Sequence, residues 1–423
     1  MKTKLVSFCC LTGIASAVLA QSLPSVPPGY TTVLPVKGLT RTAAQAFISA
    51  PASLPMWNFS VTANASLGGG VYTGTIIGRN PSLRAKSVTD INLYIIPLKI
   101  TITDSVYGAQ VYDPTVADAC YNLSPSGHPT DVALVENSPM FQTNLYDGAG
   151  GAGHAPKMDG IDVTQGVPAQ YEDAYMRANF WSLVQNTNYH LNFIVTTLPT
   201  QTLSFNYTGV SQANYVGGTD YSGCGRIGVV DINDYDSAIQ TLLKSMGAVT
   251  PGVFPMLLTN SVVNGNPGTN LFGDCCALGY HSAYNVGPNL QVYSPFSVSQ
   301  PFGDISTISH EVAEALMDPT TVNGTPSWGN EGQVYQACQN NLEVGDPLSP
   351  GFPDSIGTEF MIAQNGFTYS LQELTFFDWF FGAAPAGFGA SPMGAGGLYS
   401  NNSAFHGFAK LCPNGGTNNP SAN

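Results

Sequence analysis

The chain has 423 residues, 43% of them hydrophobic and 11% aromatic, so it can bury a large core and is neither wholly disordered nor fibrous. Only 9% of residues are charged, and 27 acids outnumber 13 bases for a net charge of −14. No basic footprint is present, which argues against a nucleic-acid partner and makes a cation the more natural companion.

In chain order, Lys2 and Lys4 precede an apolar run from Leu5 to Leu19, and Ala17-Val18-Leu19-Ala20 supplies a small-residue cleavage site. This pattern predicts a signal peptide over residues 1–20 and a secreted mature chain, whether extracellular, periplasmic or cell-wall associated. No later stretch approaches the roughly 20 apolar residues of a membrane-spanning helix, so no membrane span is expected. Loss of Lys2 and Lys4 with the leader would take the net charge from −14 to −16. The mature chain keeps Cys120, Cys224, Cys275, Cys276, Cys338 and Cys412, an even set that in an oxidising compartment predicts disulfides. Glycosylation sequons begin at Asn58, Asn64, Asn122, Asn206, Asn323 and Asn401.

Residues 21–52 are rich in Pro and Thr and read as a linker or pro-segment. Residues 53–225 read as β-rich, with strands around Val71–Ile77 and Ile91–Ile102 and a helix over 169–184. Residues 226–423 read as an α/β region. In it a strand at Ile227–Val230, a helix over 234–246 and a strand at Val253–Leu258 precede the most informative segment. The expected fold class is α+β, with a β-rich N-terminal half and a zincin-like C-terminal half; the zincin comparison rests on helix and motif order.

That segment runs from Asp304 to Pro319. Asp304 is a candidate N-cap, and Pro319 blocks continuation. At about 100° per residue, Ile305, Ile308, Val312, Ala315 and Leu316 share one face, and His310, Glu311, Glu314 and Asp318 share the opposite one. His310 and Glu314 are four apart, the spacing that lets two helical side chains grip one metal. The pattern is H-E-x-x-E, with a carboxylate where the zinc-peptidase motif has its second His. The plain alternative is a solvated acidic helix face. Against it stand the scarcity of charge elsewhere and the flanking groups His281, Glu343 and Asp346. His128, His154, His190 and His406 have no ligand pattern beside them.

Cys276-Ala277-Leu278-Gly279-Tyr280-His281, the helix His310-Glu311-x-x-Glu314-x-x-x-Asp318-Pro319, and Glu343-Val344-Gly345-Asp346 together resemble the plant EXORDIUM / phosphate-induced protein family. They are also similar to secreted bacterial and fungal relatives whose helix reads H-E-x-x-E-A-x-x-D-P. Tyr369-Ser370-Leu371-Gln372-Glu373 looks like that family's late Gln-containing strand, so the resemblance covers roughly residues 275–375. It implies a secreted protein with a metal site and brings no established reaction; plant members are associated with cell-wall growth responses.

Two functions are expected from these residues. The first is a secreted zinc-dependent hydrolase, peptidase-like, acting on a peptide or cell-wall substrate. His310 and Glu314 would be ligands, with a third from His281, Glu343 or Asp346, Glu311 the general base, and Asp318 a carboxylate that orients His310 or a spare ligand. The alternative is a non-catalytic secreted or cell-wall-associated protein in which the same cluster is a structural metal site. In that reading Trp328, Trp379, Phe376 and Phe377 are candidates for contacting a glycan or for the core. The oligomeric state has no signature in the sequence.

Overall fold

The computed structural model describes residues 52–83, 88–105, 107–117, 129–147, 161–208, 216–219, 226–265, 275–298, 304–330, 339–348, 359–382 and 409–411. The leader, nearly all of the 21–52 segment, the side chains of the six cysteines, His128, His154, His406, and the sequons at Asn122 and Asn401 lie outside the described residues.

The elements run β1 (Met56–Thr62), β2 (Val71–Ile77), β3 (Val88–Asp104), β4 (Gly108–Tyr112), α1 (Asp131–Glu136), α2 (Tyr171–Asn179), α3 (Trp181–Val184), β5 (His190–Thr197), β6 (Gln201–Asn206), β7 (Val216–Thr219) and β8 (Arg226–Asp231). They continue with α4 (Ile232–Ser245), β9 (Val253–Asn260), β10 (Val262–Gly265), β11 (Cys275–Ala277), β12 (Ser282–Val286), β13 (Asn289–Val298) and α5 (Ser306–Met317). Last come β14 (Gly324–Asn330), β15 (Gln339–Asn341), β16 (Glu359–Gln364), β17 (Phe367–Gln372), α6 (Phe377–Phe381) and β18 (Ala409–Leu411). The fold is mixed α+β, as the sequence patterns predict. No helix among the described residues is long and apolar enough to cross a membrane.

A seven-stranded sheet forms the frame, in the order β12-β13-β9-β3-β4, with β5 and β6 both pairing to β3. β3 runs parallel to β9, β5 and β6, and β9 runs parallel to β13. The 17-residue β3 therefore has apolar cover on both faces, which explains why its sequence mixes alternation with a continuous apolar run. Ile91, Leu93 and Ile95 point into one core, and Ile96, Leu98, Ile100 and Ile102 into the other, as a period of two requires. The second core is closed by α4, whose Ile232, Tyr235, Ile239 and Leu243 form its buried stripe. Asp231 caps that helix by accepting from the N–H groups of Asn233 and Asp234.

The first core is covered by α5, which packs against β13, β17, β2 and α2. Ile308, Val312, Ala315 and Leu316 lie in this core, each Leu- or Ile-sized side chain contributing roughly 1.5–3 kcal/mol on burial. The other face of α5 is buried as well: all 12 of its residues are. The solvated acidic face is thereby overturned, because the 279–281 and 343–346 segments lie against the polar side chains.

Asp304 is not the N-cap. The cap position is Ile305, without a side-chain hydrogen bond, and Asp304 sits one residue earlier at φ +43°. Its carboxylate accepts from the N–H of Ile305 and from that of Ser370, 3.1 Å away, so it staples the helix start to β17 rather than to the helix itself. At the other end the helix stops at Met317. Asp318 closes the following turn, accepting from Val322 N–H and Asn323 N–H at 3.1 Å. Asn323 then braces the turn, donating to the carbonyls of Thr75 and Met317 at 2.7 Å and accepting from Thr75 N–H at 2.9 Å. Trp328, Phe376 and Phe377 are core residues and Trp379 is partly buried against them, so these rings are not an exposed glycan platform.

Candidate metal centre

His281 lies between a short bridge to β13 and the start of β12. Tyr280 N–H donates to Pro295 O at 3.1 Å and Ser297 N–H to Leu278 O at 2.8 Å, which holds the segment along β13 beneath α5. Gly279 permits the approach: a Cβ there would stand 2.8 Å from Thr307 Cγ2 and 2.9 Å from Glu311 Cγ. From the other side the 343–346 segment is docked by backbone donors. Gly345 N–H donates to Glu314 Oε1 at 3.1 Å, and the Asp346 N–H also bonds to this carboxylate. Thr375 N–H holds Val344 O at 2.7 Å.

The fold thus gathers His281, His310, Glu311, Glu314, Glu343 and Asp346, none more than 2% exposed. His310 Nε2 stands 3.1 Å from Glu314 Oε1 and 3.4 Å from Asp346 Oδ1. His281 Nδ1 stands 3.6 Å from both Glu311 Oε2 and Glu314 Oε2, and 3.9 Å from Glu343 Oε2. Two sets of three have ligand atoms within 4.8 Å of one another: His281, Glu314 and Glu343, and His310, Glu314 and Asp346. A buried group able to hold a metal ion is therefore present.

The proton arrangement of His281 follows from its partners. Nε2 lies 3.1 Å from the Asp318 carbonyl, which can only accept, so Nε2 carries the proton. Burial pushes the imidazole pKa down to about 4, with the nearby His310 acting in the same direction and the Asp318 bond against it. The ring is neutral at pH 7, and its Nδ1 lone pair faces three carboxylates beyond hydrogen-bond distance. Lone pairs turned on one another across such a gap are what a cation reconciles. Asp318 thus reaches the site through its carbonyl, toward His281, while its carboxylate serves the turn.

At His310 burial again lowers the pKa, but the Asp346 hydrogen bond and the charges of Glu311, Asp346 and Glu343 outweigh it, and the net shift is upward. Burial raises Glu311, Glu314 and Glu343 well above the usual carboxylate range, each also repelled by a neighbouring carboxylate. Among the described residues no lysine or arginine pairs with these three. Glu311 Oε1 and Glu343 Oε2 are buried without a hydrogen-bond partner.

Sequence reasoning missed the contribution of α2. Glu172 on this helix is fully buried, and neither of its carboxylate oxygens has a hydrogen-bond partner. Burial raises its pKa well above normal, and the charge of His310 opposes the shift, so it stands near the site. Tyr175, one turn on, senses both Glu172 and Glu314 and donates to Thr375 O at 2.7 Å. In sequence Glu172-Asp173 looks like the ordinary acidic first turn of a helix, which is why nothing marks it out. Of the late segment Tyr369 to Glu373, Tyr369–Gln372 falls in β17 and Glu373 just beyond it; β17 lies along α5, with Gln372 N–H donating to Ser309 Oγ at 2.8 Å. Comparison with known protein families, curated proteins and solved structures returns no match for this chain.

Proposed function

We propose that the protein is a secreted zinc-dependent hydrolase of peptidase-like type, with a zincin-like C-terminal half built around α5. The observation that carries the reading is Glu311. A metal site that served only to tie α5 to the 343–346 segment would have no use for an additional buried carboxylate. Leaving such an oxygen unsatisfied costs roughly 1–3 kcal/mol or more. Glu311 Oε1 nevertheless has no hydrogen-bond partner, while Oε2 points toward the His281 side of the cluster.

The donor set fits zinc. Imidazole nitrogen and carboxylate oxygen are its ordinary biological ligands, whereas calcium takes six to eight oxygens and seldom a His. His310 and Glu314 would hold the ion, with a third ligand from His281, Glu343 or Asp346 and the remaining position left for water. Bound there, zinc supplies a Lewis acid that polarises a carbonyl and lowers the pKa of water. The chain's own residues do the rest. Glu311 takes a proton from the attacking water and returns it to the leaving group. Asp318 O fixes the His281 tautomer, and the Gly345 and Asp346 N–H groups hold Glu314 in place. The motif resemblance to the EXORDIUM / phosphate-induced family supports secretion and a cell-wall setting. A peptide or cell-wall component is the proposed substrate class.

Glu311→Gln tests this directly. Metal content should match wild type, while hydrolysis in a peptide-library screen should fall by about 10²–10⁴. Equal turnover by wild type and variant, or no turnover by wild-type protein carrying its metal, would sink the catalytic role. One observation favours a second reading, a structural metal site: every ligand, and Glu311 with them, is at most 2% exposed. In that case metal is retained and removal unfolds the protein, without any substrate being turned over.

A further inference from the structure

We propose that the centre holds two divalent cations rather than one, with Glu314 bridging them; this rests on the metal-site reading above and extends it. The residues capable of ligation fall into two sets that share only Glu314. Its two oxygens divide between them: Oε1 is 3.1 Å from His310 Nε2, and Oε2 is 3.6 Å from His281 Nδ1. One cation would take His281 Nδ1, Glu314 Oε2 and Glu343. The other would take His310 Nε2, Glu314 Oε1 and Asp346 Oδ1. A carboxylate used through both oxygens sets its metals about 3.5–4 Å apart, the usual spacing of two-metal hydrolytic sites.

Each half has its own imidazole, held from behind by its own backbone element. His281 is fixed by the Asp318 carbonyl, and the His310 ring lies against the backbone of Gly345, where a Cβ would stand 2.6 Å from Cγ. A mononuclear site has little need of two separately oriented imidazoles on opposite oxygens of one Glu.

Glu311, Glu314, Glu343 and Asp346 place four carboxyl groups together in a region where both neighbouring imidazoles are also fully buried. Glu343 Oε2 is buried, receives no N–H bond and is aimed at His281 Nδ1 across 3.9 Å, too far for a direct bond, while the Glu343 and Glu314 carboxyls stand in hydrogen-bond contact with each other. That gap is unexplained by a single ion seated between His310 and Asp346.

The experiment is a metal count on full-length mature protein, purified without chelator and then dialysed against zinc, by elemental mass spectrometry. Two zinc ions per chain are expected in wild type. His281→Ala and Asp346→Ala should each retain one, and Glu314→Ala should lose at least one, all with unchanged near-ultraviolet circular dichroism. Cobalt(II)-loaded wild type should show coupled spins by electron paramagnetic resonance, and the coupling should vanish in His281→Ala and in Asp346→Ala. One ion per chain in wild type at saturating zinc overturns the two-metal inference and leaves the single-metal reading standing. No ion overturns both. Loss of both ions in each folded single-ligand variant overturns the division into two half-sites.

Discussion

Gly345→Ala examines the packing on which the centre depends. The new methyl carbon would lie 2.6 Å from Cγ and Cε1 of His310 and closer still to Nδ1, where ordinary contact needs 3.4–4 Å. Ring or segment must therefore move by about 1 Å. Backbone conformation is not the obstacle, since Gly345 is not among the residues at positive φ. The displacement acts on two things at once: the orientation of the His310 imidazole, and the 3.1 Å bond from Gly345 N–H to Glu314 Oε1. Over-packing a tight interior typically costs about 1–3 kcal/mol, and shifting the outer partners of metal ligands typically costs 10–100-fold in affinity. The two readouts are urea unfolding of the metal-free protein and competition with a chromophoric zinc chelator. A variant with wild-type unfolding midpoint and wild-type zinc affinity would refute the idea that the 343–346 segment is seated by contact with the His310 ring.

Four further outcomes are expected. Chelation should lower the unfolding temperature, because the buried carboxylates then face one another without a counter-ion; resupplied zinc at a thousandfold excess over its dissociation constant should restore about 4 kcal/mol, and a transition indifferent to chelator would count against a native metal. Asp304, raised by burial to about 7 from an ordinary 3.8 against the opposing Ile305 and Ser370 bonds, binds its proton more tightly folded than unfolded. Its contribution is therefore fully present below pH ~4 and is lost as pH rises through ~7, a swing of up to about 4 kcal/mol. Asp304→Asn should be the more stable protein at pH 8 by a margin that shrinks at pH 5, and denaturation curves with equal margins at both pH values would contradict the burial argument. Asn323→Ala strips partners from Thr75 N–H and from the Thr75 and Met317 carbonyls, so a loss of about 3 kcal/mol or more is expected in urea unfolding. The same burial keeps the sequon at Asn323 free of glycan in the folded state, which glycopeptide mass spectrometry would show.

Much of the local structure was readable in the chain. Helical periodicity located α5 to within two residues at each end, since Pro319 cannot continue a helix and the apolar positions recur at 3.6. Alternating and two-faced apolar runs located β2, β3, β8 and β9, because strand side chains have a strict period of two. The i, i+4 relation of His310 and Glu314 followed from helix geometry alone, and His281, Glu343 and Asp346 stood out as scarce polar groups in apolar surroundings.

What the tertiary structure alone decided concerns distances across the chain. Periodicity says which side of α5 a residue occupies, but not that the 279–281 and 343–346 segments cover the polar side and bury it. Asp304 satisfies the local rules for an N-cap, yet a partner 66 residues away, Ser370, takes its carboxylate. Glu172 has the sequence character of a helix start, and only the packing of α2 on α5 brings it near His310. Separation along the chain carries no information about such contacts, because they are set by burying apolar faces against the sheet. The polar groups then meet where those faces leave them.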